Sequence, residues 1–221
     1  MSPLAIFDLD HTLLSGDSDV LWCDFLLHQG LLDETFRARN AEMERRYKLG
    51  EVSPVEFCGF FVSTLAGKTP ATWQPWRERF LQEVIRPRLP ASARALVQQH
   101  RDAGHTLVMS TATCRVLTEL TARDLGIDHL IATEVELVQG LYSGRLEGVP
   151  NMREGKVTRM LDWLEVRGEA HTVLAEAHFY GDSINDLPLL DAVGHPVAVD
   201  PDAKLRVAAQ ARGWRVLALA R

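Results

Sequence analysis

The chain has 221 residues, of which 46% are hydrophobic and 24% are charged, a composition typical of a globular protein with one large domain or a core and a smaller second domain. Its net charge of −6 argues against a nucleic-acid partner. No apolar stretch approaches the roughly 20 residues that span a bilayer, and the N-terminal residues lack a signal-peptide pattern, so we expect a cytoplasmic protein without a membrane partner.

The first predicted element is a buried strand at Leu4–Phe7, followed by two carboxylates, Asp8 and Asp10. Alternate residues of a strand share a face, so these side chains are expected on the same side, about 7 Å apart along the chain. Asp-x-Asp at a strand end can be ordinary turn chemistry. Two carboxylates at this spacing otherwise need a cation, a shared proton or separate roles.

Residues 15–88 have a mostly helical period and contain no convincing strand. Ser53 before Pro54 predicts a helix start, with the serine as N-cap. The pattern therefore predicts an all-helical insertion of some seventy residues after the first strand.

The chain then alternates between helices and strands. Helices are predicted over residues 91–103, from about 114 to 125, and over 156–166; strands over 105–109, 130–132, 178–180, 197–199 and 216–219, with a hairpin-like passage over 135–146. This alternation predicts a doubly wound α/β domain with a parallel sheet. In such sheets, ligands bind at the carboxyl ends of the strands.

Three further motifs follow predicted strands or begin a helix. Ser110 comes directly after a strand, where a hydroxyl and backbone N–H groups can bind phosphate oxygens. Lys156, one of only four lysines in the chain, can supply a point charge against phosphate or clustered carboxylates. Gly181 ends another strand and precedes Asp182 and Asp186, hard oxygen ligands suited to Mg²⁺. Alone, Ser110 has an ordinary explanation as a helix cap and Lys156 as a solvated side chain, whereas Gly-Asp-x-x-x-Asp after an apolar strand is moderately specific.

Together and in this order, these motifs resemble the haloacid dehalogenase superfamily of phosphohydrolases, and within it the phosphoserine-phosphatase-like branch, subfamily IB. The resemblance implies a Rossmann-like α/β core formed by residues 1–15 and 88–221. It also implies an α-helical C1 cap, formed by residues 16–87, inserted after the first strand.

The resemblance also implies a role for each site residue. Asp8 is the expected nucleophile, which forms an aspartyl-phosphate, and Asp10 is the expected general acid and base. The implied cofactor is Mg²⁺, and its expected ligands are Asp8, the Asp10 backbone carbonyl, Asp182 and Asp186. The residues expected to bind the substrate or support its binding are Ser110, Thr111 through its amide, Lys156, Asp17 and Asn185.

The expected partner is a small phosphomonoester. Asp17 lies where phosphoserine phosphatases carry the acid that holds the substrate amine, whereas the place of their carboxylate-binding arginine falls near residues 59–60, in an apolar stretch. This favours an amine-bearing substrate without a carboxylate, such as histidinol phosphate. Phosphoserine hydrolysis and a phosphotransferase or mutase reaction stay open as alternatives. A non-enzymatic binding module is disfavoured, because none of the four motifs is missing.

Overall fold

The computed structural model describes residues 2–220, apart from the side chain of Lys48. Its strands are β1 (Leu4–Phe7), β2 (Thr106–Cys114), β3 (His129–Val138), β4 (Leu141–Glu147), β5 (His178–Gly181), β6 (His195–Val199) and β7 (Arg215–Leu217). They form one sheet in the order β4-β3-β2-β1-β5-β6-β7. Among the described residues, β3 and β4 pair antiparallel and the other neighbouring strands pair parallel. The predicted α/β class with a mostly parallel sheet is confirmed.

Nine α-helices surround or extend this sheet in the described part of the chain. They are α1 (Ser18–His28), α2 (Glu34–Lys48), α3 (Pro54–Val62), α4 (Pro70–Phe80), α5 (Ala91–Asp102), α6 (Arg115–Asp124), α7 (Glu154–Val166), α8 (Leu187–Ala192) and α9 (Ala203–Arg212). None of the helices within residues 2–220 has the length and apolar character needed to cross a membrane.

β1 is buried on both faces, as its uninterrupted apolar run predicts. Its side chains alternate between two hydrophobic clusters. Phe7 packs in one cluster with Trp22 of α1, and Ile6 packs in the other with Met160 of α7. Each such side chain contributes about 1.5–3 kcal/mol when fully buried. The strand that carries the aspartates is therefore anchored in the core from both sides.

The described chain between β1 and β2 contains helices and turns but no strand, which agrees with the predicted helical insertion. Ser53 accepts a hydrogen bond from the Glu56 N–H (3.2 Å) and caps α3, as predicted. Such a cap is worth about 1 kcal/mol. The division into a core of residues 1–15 and 88–221 and a cap of residues 16–87 stays a prediction.

The sheet topology gathers the functional loops at one edge. β1 pairs with β2 on one side and β5 on the other, so the chain builds the sheet outward from β1 to β4 on one side and then crosses to continue with β5 on the other. This is a topological switch point, where the carboxyl ends of neighbouring strands open a crevice. Asp8 follows β1 and Asp182 follows β5 at that crevice.

β2 is longer than predicted and extends to Cys114. Ser110 pairs with Ile131 and Thr111 with Ala132 of β3, so Ser110 lies within the strand rather than directly after it. The threonines that follow Ser110 are compatible with an extended backbone, and pairing with β3 continues the strand through them. The hairpin-like passage is confirmed: β3 and β4 are joined by Gln139 and Gly140, both with positive φ.

Candidate active site

The loop after β1 carries the two aspartates. The Asp8 N–H donates to the Tyr180 carbonyl of β5 (2.9 Å), and the chain then turns sharply, with the Leu13 N–H donating to the Leu9 carbonyl (2.9 Å). Asp10 therefore lies in a turn, which corrects the expectation that strand alternation places it beside Asp8. The turn nevertheless brings both side chains to the wall of one pocket.

Lys156 lies on the first turn of α7 and points into the same pocket. Its Nζ donates to Asp8 Oδ1 (2.7 Å) and to Asp186 Oδ1 (2.5 Å), and its side chain is only 3% exposed. A solvated surface lysine is therefore excluded. The ammonium group links the loop after β1 to the loop after β5.

The loop after β5 is a capped turn that presents two acids. Ser183 accepts from the backbone of the turn Ile184–Asp186, and its own N–H donates to Asp186 Oδ2 (3.4 Å). A Cβ on Gly181 would lie 2.6 Å from Asp186 Oδ2, so the approach of this carboxylate to the strand requires glycine. The turn places Asp186 beside Asp182.

The carboxylates of Asp8, Asp182 and Asp186 offer oxygen atoms that all lie within 4.8 Å of one another. Burial, and then the charges of Asp8 and Asp186, raise the pKa of Asp182 to about 9. A further positive charge beside Lys156 would bring the pKa of Asp182 back down. Hard carboxylate oxygens with this spacing fit a divalent cation of the Mg²⁺ type.

Burial also perturbs the two aspartates after β1. Burial raises the pKa of Asp8 to about 7, although the nearby ammonium of Lys156 acts to lower it. The pKa of Asp10 is raised to about 6, first by burial and then by the charge of Asp17. Burial lowers the pKa of Lys156, but the charges of Asp186 and Asp8 outweigh it, so the net shift is upward. Lys156 is therefore charged, and Asp10 can exchange a proton near neutral pH.

Ser110 and Thr111 are both fully buried on β2. The Nδ2 group of Asn151 donates to Ser110 Oγ (3.1 Å) and to the Thr111 carbonyl (3.0 Å), and thereby holds this part of the strand. The next two residues, Ala112 and Thr113, line the pocket. Asn151 was not predicted, because no sequence motif distinguishes it. The residues predicted to bind phosphate were Ser110 and Thr111, and did not include Ala112 or Thr113.

Asp17 lies on the pocket wall and is also a helix cap. Its Oδ1 accepts from the Val20 N–H (3.0 Å) at the start of α1. A second carboxylate, Asp19, lines the pocket two residues later. The distal part of the pocket is thus acidic. The assignment of Asp17 to a substrate amine stays a prediction.

The helical insertion contributes aromatic residues to the same pocket. Tyr47 of α2 and Phe57 of α3 stack with ring centroids 4.1 Å apart, and both line the pocket. Asn185 Nδ2 donates to the Tyr47 hydroxyl (2.9 Å), and Arg153 Nε donates to Asn185 Oδ1 (3.0 Å). Asn185 therefore connects the insertion to the core. The sequence pattern gave no signal for Tyr47 or Arg153, because the pairing partners are far apart along the chain.

Comparisons with known proteins place the chain in a family. A model of haloacid dehalogenase-like hydrolases matches residues 5–191. The chain belongs to this family. A histidinol-phosphatase of Neisseria meningitidis is 40% identical over 221 residues, which cover 98% of this chain and 99% of that protein. A phosphoserine phosphatase of Mycobacterium tuberculosis is 28% identical, over 98% of this chain and 70% of that protein.

A solved structure has the same fold as this chain. The crystal structure of a Bordetella pertussis protein of unknown function superposes on this chain with a TM-score of 0.92 at 45% identity, covering 97% of each chain. The chain is a phosphatase of the haloacid dehalogenase-like family, with phosphoserine-phosphatase-like relatives. The family and the enzyme class predicted from the sequence are confirmed.

Proposed function

We propose that this family member is a Mg²⁺-dependent histidinol-phosphate phosphatase that works through an aspartyl-phosphate. The observation that carries the chemistry is the pair of hydrogen bonds from Lys156 to Asp8 and Asp186 beside Asp182. The observation that carries the substrate is the full-length similarity to the Neisseria protein named histidinol-phosphatase.

Asp8 is the proposed nucleophile. Lys156 holds one oxygen of its carboxylate, which leaves the other to attack phosphorus in line as the bond from phosphorus to the alcohol oxygen breaks. Asp10 gives its proton to the departing alkoxide and later takes one from the water that hydrolyses the phosphoenzyme. Its pKa of about 6 suits both directions of transfer.

The metal and the remaining polar groups act on charge and position. Asp8, Asp182 and Asp186, with the Asp10 carbonyl as a further ligand, would hold Mg²⁺, which would supply positive charge against the phosphate. Lys156 adds its own charge beside the transferring group. We propose that Ser110 and the Thr111 amide support the phosphate, with Asn185 tying this end of the site to the helical insertion.

The distal pocket supports an amine-bearing substrate. The carboxylate of Asp17 suits an ammonium group, and Tyr47 and Phe57 suit the flat imidazole ring. No arginine is among the described residues that line this pocket, so the lining offers the carboxylate of phosphoserine no guanidinium group. The three cysteines are buried and unpaired, which supports a cytoplasmic location as a further part of the proposal.

A panel of phosphomonoesters tests this proposal. Inorganic phosphate release is measured with histidinol phosphate, phosphoserine, O-phosphoethanolamine and p-nitrophenyl phosphate, each with Mg²⁺ and with EDTA. We expect kcat/KM for histidinol phosphate to exceed that for phosphoserine by roughly 100-fold or more. Asp8→Asn is expected to abolish turnover and phosphoenzyme formation with every substrate.

Three outcomes contradict parts of the proposal. Phosphoserine as the best substrate would exclude the histidinol-phosphate assignment. Wild-type rates in Asp8→Asn would exclude the nucleophile. Transfer of phosphate to an added alcohol in preference to water would instead indicate a phosphotransferase.

A further inference from the structure

The carboxylate of Asp10 is held from two sides by groups outside the predicted motifs. Its Oδ1 accepts from the Ser18 N–H (2.7 Å), and its Oδ2 accepts from the hydroxyl of Thr113 (2.9 Å). Ser18 begins α1 in the helical insertion, whereas Thr113 lies near the end of β2. Two separate segments therefore set the direction of this side chain.

The hydroxyl of Thr113 in turn contacts three polar side chains. Its Oγ1 lies 2.9 Å from Asp10 Oδ2, 3.1 Å from Asp19 Oδ2 and 3.1 Å from Ser18 Oγ. Ser18, Asp19 and Thr113 are all buried, with exposures of 1%, 8% and 2%. Burial at this level favours hydrogen bonds among these side chains.

The number of hydrogens at Thr113 decides how the group is bonded. A hydroxyl carries one hydrogen and two lone pairs. When Ser18 donates into one lone pair and Thr113 gives its hydrogen to Asp10, an ionised Asp19 oxygen would face only the remaining lone pair. Asp19 completes the arrangement when it is protonated and donates to that lone pair.

The surroundings of Asp19 agree with this arrangement. Burial, and then the charges of Asp17 and Asp10, hold the pKa of Asp19 well above its ordinary value. Asp19 has no part in the proposed mechanism, although it lines the pocket.

We propose that Asp19 and Thr113 are positioning residues that hold the Asp10 carboxylate in place to protonate the leaving alkoxide. This inference rests on the acid role of Asp10 in the proposed function. The step it serves breaks the bond from phosphorus to the alcohol oxygen, forms the bond from phosphorus to Asp8, and moves one proton from Asp10 to that alcohol oxygen.

The leaving group supplies the test. An alkoxide leaves poorly without a proton, whereas p-nitrophenolate leaves without one. Loss of the Asp10 position must therefore slow phosphorylation by an alkyl ester far more than phosphorylation by p-nitrophenyl phosphate. The value of kcat/KM reports that first step for both esters.

The variants are Thr113→Val, which removes the hydroxyl at constant shape, and Thr113→Ser, which keeps it. The matched control is Thr118→Val, since Thr118 is equally buried and its hydroxyl donates to the Cys114 carbonyl at the start of α6. The alkyl probes are histidinol phosphate and β-glycerophosphate, and the aryl probe is p-nitrophenyl phosphate, all with saturating Mg²⁺.

For Thr113→Val we expect kcat/KM to fall about 100-fold with the alkyl esters and less than about 5-fold with the aryl ester, because general acid catalysis is worth about 100-fold or more. Thr113→Ser is expected to recover most of the alkyl activity, and Thr118→Val to match the wild type. Equal losses with both ester classes, or failure of Thr113→Ser to recover activity, would overturn the inference.

Asp19 is tested in the same assay. Asp19→Asn keeps a hydrogen for Thr113, so it is expected to lose less alkyl activity than Asp19→Leu, which has none to give. A rise in KM confined to amine-bearing esters would instead make Asp19 a substrate ligand and overturn its positioning role. An enzyme that hydrolyses β-glycerophosphate but not histidinol phosphate would contradict only the proposed substrate. The positioning roles would still be tested by the ratio of β-glycerophosphate to p-nitrophenyl phosphate activity.

Discussion

Replacing Lys156 with methionine removes the ammonium that lies between two buried carboxylates. Methionine has a similar length and an unbranched chain, so the packing of the lysine stem is largely kept. The change isolates the charge of Lys156 from its volume.

The structure sets the size of the effect. The Lys156 Nζ lies 2.7 Å from Asp8 Oδ1 and 2.5 Å from Asp186 Oδ1. At an effective dielectric constant of 20, each contact is worth about 6 kcal/mol of attraction, most of which is offset by desolvation of the ions. Removing one partner leaves the carboxylates buried without compensation, and that costs about 3–5 kcal/mol.

Urea unfolding measures this cost. In EDTA we expect Lys156→Met to lower the free energy of unfolding by about 3–5 kcal/mol. Mg²⁺ is expected to restore part of the loss, because it neutralises the same carboxylates. Lys204→Met is the matched control: Lys204 is exposed on α9, and its replacement should change stability by less than about 0.5 kcal/mol.

A loss below about 1 kcal/mol in EDTA would refute the reasoning, because it would mean that the buried carboxylates are satisfied without the ammonium. The reasoning is also refuted if Mg²⁺ stabilises the variant no more than it stabilises the wild type. The metal would then bind away from these carboxylates.

Two further predictions concern the helical insertion and the far end of the sheet. Tyr47→Phe removes the hydroxyl that accepts from Asn185 (2.9 Å). Loss of this hydrogen bond costs about 1 kcal/mol, so we expect KM for the alkyl substrate to rise about 5-fold. Equal KM values in the variant and the wild type would contradict this prediction. Burial, and then His178 and His105, lower the pKa of His100 to about 4. Its contribution to stability is therefore complete above about pH 6.5 and is lost as the pH falls to about 4, because the unfolded chain binds the proton first. Between pH 6.5 and 4 we expect the free energy of unfolding to fall by about 3 kcal/mol more in the wild type than in His100→Gln. An equal pH dependence of the free energy of unfolding in both proteins would refute the lowered pKa of His100.

Residues with a local chemical signal could be predicted from the sequence. The apolar run before Asp8 and the glycine before Asp182 each mark a strand end, and strand ends gather at one edge of a parallel sheet. Lys156 could be predicted because an isolated lysine at the start of a helix is an unusual choice in an arginine-rich chain. These signals lie within a few residues of the groups they identify.

Residues that act through distant partners could not be predicted. Thr113 lies 103 positions from Asp10, and Tyr47 lies 138 positions from Asn185. Periodicity tells which face of a strand or helix a side chain occupies, but it says nothing about the segment that packs against that face. The length of β2 was underestimated for the same reason, since pairing with β3 extends it beyond the apolar run.

The amino-acid sequence by itself thus determined the α/β class, the helical insertion after β1, and the kinds of groups that meet at the strand ends. Only the tertiary structure decided that Lys156 bonds Asp8 and Asp186, and that the Thr113 hydroxyl lies between Asp10 and Asp19. The reason is physical: the identity and spacing of side chains are local properties, whereas a buried hydrogen bond depends on which distant segments the fold brings within about 3 Å.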